Sequence, residues 1–247
     1  MQAYALTDIG RRRHINQDYI YASTKAVGAF PNLFILADGM GGHRAGDFAS
    51  RYLVETLVGY VSKNTVDEPV KVMNNAIMLS NAMIYHKSLE DEELMGMGST
   101  LVAAVIEKDL LTVANVGDSR LYLVRDDILQ ITKDHSYVQE MIDKGLMKKG
   151  SEEYLSKKKY ITRAVGSEEE VRADYFEVEL QDGDYILLCS DGLTNMVDDD
   201  RILSVISGNG SIEYKVRTLI ADANRNGGMD NIAVILIRYT EGGEEDD

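Results

Sequence analysis

Two hydrophobic rhythms alternate along this chain of 247 residues. Short apolar runs, several of them rich in β-branched residues, predict strands at Ala3–Thr7, Tyr19–Ala22, Leu33–Ala37, Ser99–Ile106 and Leu111–Val116. Further runs predict strands at Leu121–Val124, Ile128–Ile131, Ala173–Leu180, Tyr185–Cys189 and Ile232–Arg238. The links Glu107-Lys108-Asp109 and Arg125-Asp126-Asp127 are too short for a crossover helix, so the strands they join are expected to pair antiparallel. Helical spacing takes over at Ala49, Leu53, Leu57 and Val61, and again at Val70, Met73, Ile77 and Ile84. Val138–Lys144, Asp199–Ile206 and Ile212–Asn224 also read as helices. Two long helices between hairpins, with more helices later, predict an α+β layered domain, and a β-sandwich flanked by helices satisfies the pattern.

Three aspartates interrupt this pattern where a polar residue is costly. Asp38 follows the apolar run Leu33–Ala37 and leads into Gly39-Met40-Gly41-Gly42, read here as a glycine-rich turn. Asp191 follows Tyr185–Ser190, and Asp230 precedes the run Ile232–Ile237. A carboxylate at the end of a buried strand is expensive to desolvate unless something positive meets it. Several of them, with no matching Lys or Arg beside them in the sequence, predict a divalent cation held by oxygen ligands.

Composition narrows the partners. A formal net charge of -15 and a pI near 4.7 argue against nucleic acid or an anionic membrane. No apolar run approaches the roughly 18 residues of a membrane helix, and Met1–Asp8 lacks the basic and apolar segments of a signal peptide, so a cytoplasmic location is expected. The single cysteine, Cys189, excludes an internal disulfide and reads as a packed core residue, not a nucleophile. Residues 1–240 are expected to form one domain and residues 241–247 an acidic tail. The runs Glu90–Glu93 and Glu168–Glu170 read as solvated, and Lys148–Lys159 as a polar surface excursion.

Around the strand-end aspartates lie further candidates. Arg13, Asn16 and Asp18 form an Arg-x-x-Asn-x-Asp string before a strand; the guanidinium suits phosphate oxygens, and Asp18 adds a carboxylate. The bland alternative is that Arg11-Arg12-Arg13 is a solvated basic turn. Gly39 suits a backbone that must turn beside a cation and expose a carbonyl. Asp118, in Gly117-Asp118-Ser119-Arg120, is either another ligand or a turn residue. In Asp134-His135-Ser136, Asp134 or Ser136 is expected to cap the helix that follows. His14, His43 and His86 lack the spacing of a zinc site, so Mg²⁺ or Mn²⁺ fits the set and zinc does not.

In this order, Arg13-x-x-Asn16-x-Asp18, Asp38-Gly39-Met40-Gly41-Gly42-His43, Gly117-Asp118-Ser119-Arg120, Asp134-His135-Ser136, Thr162-Arg163-Ala164-x-Gly166, Ser190-Asp191-Gly192-Leu193 and Asp230-Asn231 resemble the type 2C metal-dependent protein serine/threonine phosphatases, in their compact bacterial form. The resemblance runs from Thr7 to about Arg238. It implies an α-β-β-α sandwich of two mainly antiparallel sheets, and hydrolysis of phosphoserine and phosphothreonine by a water that two Mn²⁺ or Mg²⁺ ions activate. It further implies that Asp38 bridges the ions, that Gly39 lends its carbonyl, and that Asp191 and Asp230 hold the second ion. Asp18 would act directly or through water, Arg13 would clamp the phosphate, and Asp118 with Asp191 would serve a weaker third ion. The lysine-rich excursion falls where the family carries a mobile flap.

Two departures from the family pattern matter. Met40 stands where some members have a histidine proposed as general acid, so the leaving alkoxide must take its proton from water or another group. Asn195 stands where some members have an aspartate, which weakens the case for a third ion. The expected partners are phosphorylated proteins, substrates of a serine/threonine kinase, met by a monomer. The competing readings are a catalytically inert phosphoprotein-binding module on the same fold and a hydrolase of small phosphate esters.

Overall fold

The computed structural model describes residues 1–42, 45–65 and 68–241. In chain order its strands are β1 (Gln2–Asp8), β2 (Asp18–Ser23), β3 (Leu33–Met40), β4 (Gly98–Ser99), β5 (Leu101–Glu107), β6 (Leu110–Val116), β7 (Arg120–Val124), β8 (Ile128–Gln130), β9 (Asp174–Glu179), β10 (Tyr185–Cys189) and β11 (Ile232–Arg238). The helices are α1 (Ala45–Val61), α2 (Pro69–Glu90), α3 (Tyr137–Asp143), α4 (Glu152–Lys157), α5 (Asp191–Thr194), α6 (Asp199–Ser207) and α7 (Ile212–Arg225). One sheet runs β1-β11-β10-β7-β8 and the other β2-β3-β5-β6-β9, with β4 extending the second beside β3. Every pairing is antiparallel. This is the expected α-β-β-α sandwich.

The two-residue period of a strand explains the layers. Along β3, Leu33, Ile35 and Ala37 face helices α1 and α2, while Phe34 and Leu36 face the opposite sheet. β11 divides likewise: Ala233, Ile235 and Ile237 point between the sheets, and Ile232, Val234 and Leu236 pack under α6 and α7. A central strand buried on both faces must be apolar throughout, which is why these runs are continuous instead of alternating. Cys189 is fully buried among this second set, and burial pushes its thiol up to about 12, so it is core and not nucleophile.

Two differences from the sequence reading bear on the cleft. β3 continues through Asp38 and Gly39 to Met40, because Gly39 and Met40 pair with Ser99 and Gly98 of β4. Asp38 therefore sits within a strand, and the turn begins only at Gly41. The excursion Lys148–Lys159 contains the short helix α4, capped by the Ser151 hydroxyl. It returns against the core where Tyr137 N donates to Tyr160 O (2.9 Å) and Thr162 N to His135 O (2.8 Å). Ser136, not Asp134, caps α3. The acidic runs at Glu90–Glu93 and Glu168–Glu170 are exposed. His43 and residues 242–247 lie outside the described residues, as does most of the segment assigned to an acidic tail. Among the described residues no helix is long and apolar enough to cross a membrane.

Candidate metal centre

At one end of the sandwich five chain segments bring their aspartates together. Asp18 opens β2 and lies directly opposite Asp38 in the β2–β3 register. Asp118 follows β6 in the turn to β7, Asp191 opens α5 after β10, and Asp230 precedes β11. Asp38, Gly39, Asp118, Asp191, Asp230 and Arg13 line a cleft of about 290 Å³, with Met40 and Lys159 on its wall; Asp18 is buried beneath them.

Asp38 and Asp18 are positioned by residues that carry no charge. Asp38 is pinned through its backbone: its N–H donates to Thr100 Oγ1 (3.0 Å), and its carbonyl accepts from Thr100 N (2.8 Å) and Ser99 Oγ (3.1 Å). Thr100 Oγ1 also meets Ser119 Oγ at 2.7 Å, tying the Asp38 strand to the Asp118 turn. Asp18 Oδ2 accepts from Ser190 Oγ (2.7 Å), whose oxygen accepts in turn from Ala233 N (2.9 Å). Asn231 gathers the loop before β2: Oδ1 accepts from Gln17 N (2.9 Å), and Nδ2 donates to Ile9 O (2.9 Å) and Ile15 O (3.0 Å). Asn16 is occupied by Thr7 Oγ1 and Asp18 N, so it shapes the loop.

Gly39 and Gly117 are required by this geometry. A side chain at Gly39 would overlap the Gly46 carbonyl and approach Gln17 O to 2.9 Å, so only glycine lets β3 run this close to α1. Gly117 has φ 102°, and His135 clamps it from both sides: Gly117 N donates to Nδ1 (3.0 Å) and His135 N donates to Gly117 O (2.9 Å). An accepting Nδ1 leaves the ring proton on Nε2, 3.1 Å from Asp174 Oδ2. Burial lowers the His135 pKa, against the pull of Asp174, which suits this neutral scaffold role beneath Asp118.

The electrostatics test whether a cation fits. Burial, then the charges of Asp18, Asp191, Asp118 and Asp230, raise the Asp38 pKa well above the ordinary 3.8. Burial is also the main cause of the rise at Asp18 to about 8, at Asp118 to about 8 and at Asp191 to about 6. Asp18 Oδ1 is buried with no hydrogen-bond partner. A buried acceptor left open, facing carboxylates that protonate for want of a counter-charge, is what a hard cation would satisfy. Among the described residues no group of three or more His, Cys, Asp or Glu side chains gathers on one point to hold an ion alone. The carboxylates ring a basin instead, which suits ions that take one or two carboxylates and complete their shell with carbonyl oxygen and water, as Mg²⁺ does.

One expectation is corrected. The aspartates are not all without a basic partner: Arg13 Nη2 donates to Asp230 Oδ2 at 2.7 Å. Arg13 is half-exposed at the rim, so this pair also holds the guanidinium over the cleft. Asn195 Nδ2 donates to Asp191 Oδ2 (2.9 Å). The supporting roles of Thr100, Ser190, Ser119 and His135 went unread in the sequence. Ser190 and Asn231 stand beside aspartates already singled out, and adjacency was the one signal available; Thr100, inside an apolar run, gave none.

The family described as Protein phosphatase 2C matches residues 10–219. The protein phosphatase PhpP of Streptococcus pneumoniae is 38% identical over 245 residues, covering 98% of each chain. The serine/threonine phosphatase stp of Listeria welshimeri is 39% identical over 247 residues, covering 96% of this chain and 95% of its own. Among solved structures, the S. agalactiae serine/threonine phosphatase superposes with a TM-score of 0.90 at 37% identity, over 97% of this chain and 99% of that one. The catalytic domain of the phosphatase PstP, solved in complex with two manganese ions, superposes with a TM-score of 0.82 at 34% identity, over 95% and 96%.

Proposed function

The chain belongs to the protein phosphatase 2C family and is a metal-dependent protein serine/threonine phosphatase, and we propose that Arg13, Asp18, Asp38, Gly39, Asp118, Asp191 and Asp230 make up its reacting centre. Asp38 and the Gly39 carbonyl, with Asp191 and Asp230, would hold two Mn²⁺ or Mg²⁺ ions, and Asp18 would join them directly or through water. When bound, the ions acidify water and neutralise charge on the phosphoryl oxygens.

The chain's own residues do the rest. Arg13 presents a planar donor fork to the phosphate, and Asp230 steadies it in that position. Thr100 and Ser190 hold Asp38 at the cleft and Asp18 beneath it through bonds that add no competing charge. In the hydrolysis water adds to phosphorus, the P–O bond to the serine or threonine oxygen breaks, and that oxygen takes a proton. Met40 on the cleft wall has none to give, so the proton comes from water or another group. Asp118 and Asp191 would serve a weaker third ion, with one Asp191 oxygen already engaged by Asn195.

The observation that carries this reading is the set of buried, mutually repelling carboxylates beside one phosphate-seeking arginine. The reading extends to a monomer in the bacterial cytoplasm, opposing a serine/threonine kinase in signalling. The bacterial relatives and the single, buried cysteine support it. The test is phosphate release from phosphothreonine peptides after EDTA treatment, with and without added Mn²⁺, beside a simple aryl phosphate. Mn²⁺-dependent turnover that favours the peptides is expected. Binding without turnover would support an inert phosphoprotein-binding module, and a preference for the aryl phosphate a small-ester hydrolase.

A further inference from the structure

The chain carries a formal net charge of -15, yet two separate segments bordering its catalytic cleft are basic. One is Arg11-Arg12-Arg13-His14, in the loop before β2; the other is Lys157-Lys158-Lys159, at the end of α4. Both reach the cleft, since Arg13 and Lys159 line it. Two of these cations are already committed: Arg13 to Asp230 and Lys157 to Glu153 (2.8 Å). Arg11, Arg12, Lys158 and Lys159 have no ion-pair partner among the described residues, although acids outnumber bases 41 to 26 along the chain. Lys159 Nζ lies over a ring, 5.5 Å from the Tyr160 centroid.

Their placement is fixed by the backbone. Arg11 N and Arg12 N both donate to Gly228 O (2.8 and 3.2 Å), which holds that loop against the segment leading to Asp230. Tyr160, directly after Lys159, is tied to α3 through Tyr137 N, and Ile161 bridges to Ser136. Cations bordering an acidic cleft without an ion-pair partner attract anions and not metal ions, so their use is sought outside the metal centre. They do suit an anionic ligand too long to fit within the cleft.

We propose that Lys158 and Lys159, together with Arg11 and Arg12, form a docking surface for phosphorylated protein segments that carry further negative charge beside the scissile phosphate. This rests on the phosphatase reading and specifies its substrate class. An acidic side chain and a neighbouring phosphate share the chemistry recognised here: an exposed anion a few residues from the phosphothreonine. Contacts between exposed charges are weak singly and additive at best, so the surface selects among substrates and does not hold them tightly.

The experiment uses three phosphothreonine peptides of equal length, with neutral flanks, glutamate flanks, or a flanking non-hydrolysable phosphonate. The Mn²⁺-loaded protein is expected to show kcat/KM about tenfold higher on either anionic peptide than on the neutral one, expressed in KM. The preference should fade as salt rises above about 0.1 M, where the screening length shrinks to about 10 Å. Lys158→Gln with Lys159→Gln should bring the ratio close to one while calorimetry finds Mn²⁺ binding unchanged; Arg11→Gln with Arg12→Gln should lower it less. A larger gain from the phosphonate than from glutamate assigns a second phosphate as the favoured flank, and the reverse assigns acidic side chains. A wild-type protein that treats the three peptides alike, or a double-Gln variant that keeps the preference, overturns the proposal and leaves the phosphatase reading standing. Absence of turnover on every phosphopeptide sinks both.

Discussion

Asp184 and Asp18 are both buried aspartates in one molecule, and they are treated in opposite ways. Asp184, between β9 and β10, accepts two bonds from the Arg125 guanidinium (2.7 and 2.6 Å) and a third from Gln181 N (2.8 Å). Asp222 on α7 is held by Arg201 and Arg225, and Asp134 by the fork of Arg120. At the cleft, Asp18 accepts from the Ser190 hydroxyl, and Asp38 faces Asp18 across the strands. The chain thus supplies arginine wherever a buried carboxylate serves the architecture. No arginine pairs with Asp18, Asp38, Asp118 or Asp191 among the described residues, and there the proposed counter-charge is a cation from solution. Asp230, with Arg13, stands between the two classes, because its partner is the arginine proposed to meet the phosphate.

The largest effect should come from exchanging the two treatments. Asp38→Asn is expected to lower turnover about a thousandfold or more and to abolish tight Mn²⁺ binding. It should leave the metal-free fold as stable as before or more so, since the cost of burying or protonating a carboxylate there is gone. Asp184→Asn should do the reverse, costing about 1–3 kcal/mol of stability while Mn²⁺ binding persists. Urea melts beside Mn²⁺ titrations check both, and a marked loss of stability in Asp38→Asn would erase the distinction.

Acidity sharpens the same contrast. In the metal-free fold Asp18 and Asp118 titrate near 8, and Asp38 is raised as well. The folded state therefore keeps protons that the unfolded chain gives up above about pH 4, and stability must fall as pH rises from there towards 8. Because ions replace those protons, the gain in Tm on adding Mn²⁺ should grow across the same range. A gain that is flat with pH would count against the carboxylates as the binding groups.

Arg13→Ala should follow, with kcat/KM down about ten- to a hundredfold and Mn²⁺ affinity less affected, because its proposed role is to hold the phosphate. Unchanged kcat/KM on phosphopeptides would remove it from the site. Cys189→Ser should change turnover least, by no more than about twofold, while placing a hydroxyl in an apolar layer costs about 1–3 kcal/mol. A folded, metal-binding Cys189→Ser protein without activity would make the thiol, and not water, the nucleophile.

Much of this was legible in the sequence for a physical reason. Strands buried on both faces, such as β3, β10 and β11, leave continuous apolar runs, and a carboxylate at their ends stands out against them. The extension of β3 to Met40 was hidden because its partner, Gly98–Ser99, lies far along the chain, and the run that begins at Ser99 does not show which strand it pairs with. Helix α4 was missed because its six residues are mostly polar and bury no face. The supporting polar residues were the least readable. Ser190 matters through Asp18, 172 positions away, and Asn231 through Gln17 and Ile15, more than 200 away. No local pattern announces such a pairing.

The most direct test is a calorimetric Mn²⁺ titration of the EDTA-stripped protein beside its Asp38→Asn variant, at a pH near 8. The account predicts two tightly bound ions in the wild-type protein, with proton release on binding, and neither in the variant. A wild-type protein that binds no Mn²⁺, or a variant that binds it equally well, would contradict the claim that these unpaired carboxylates are a metal centre.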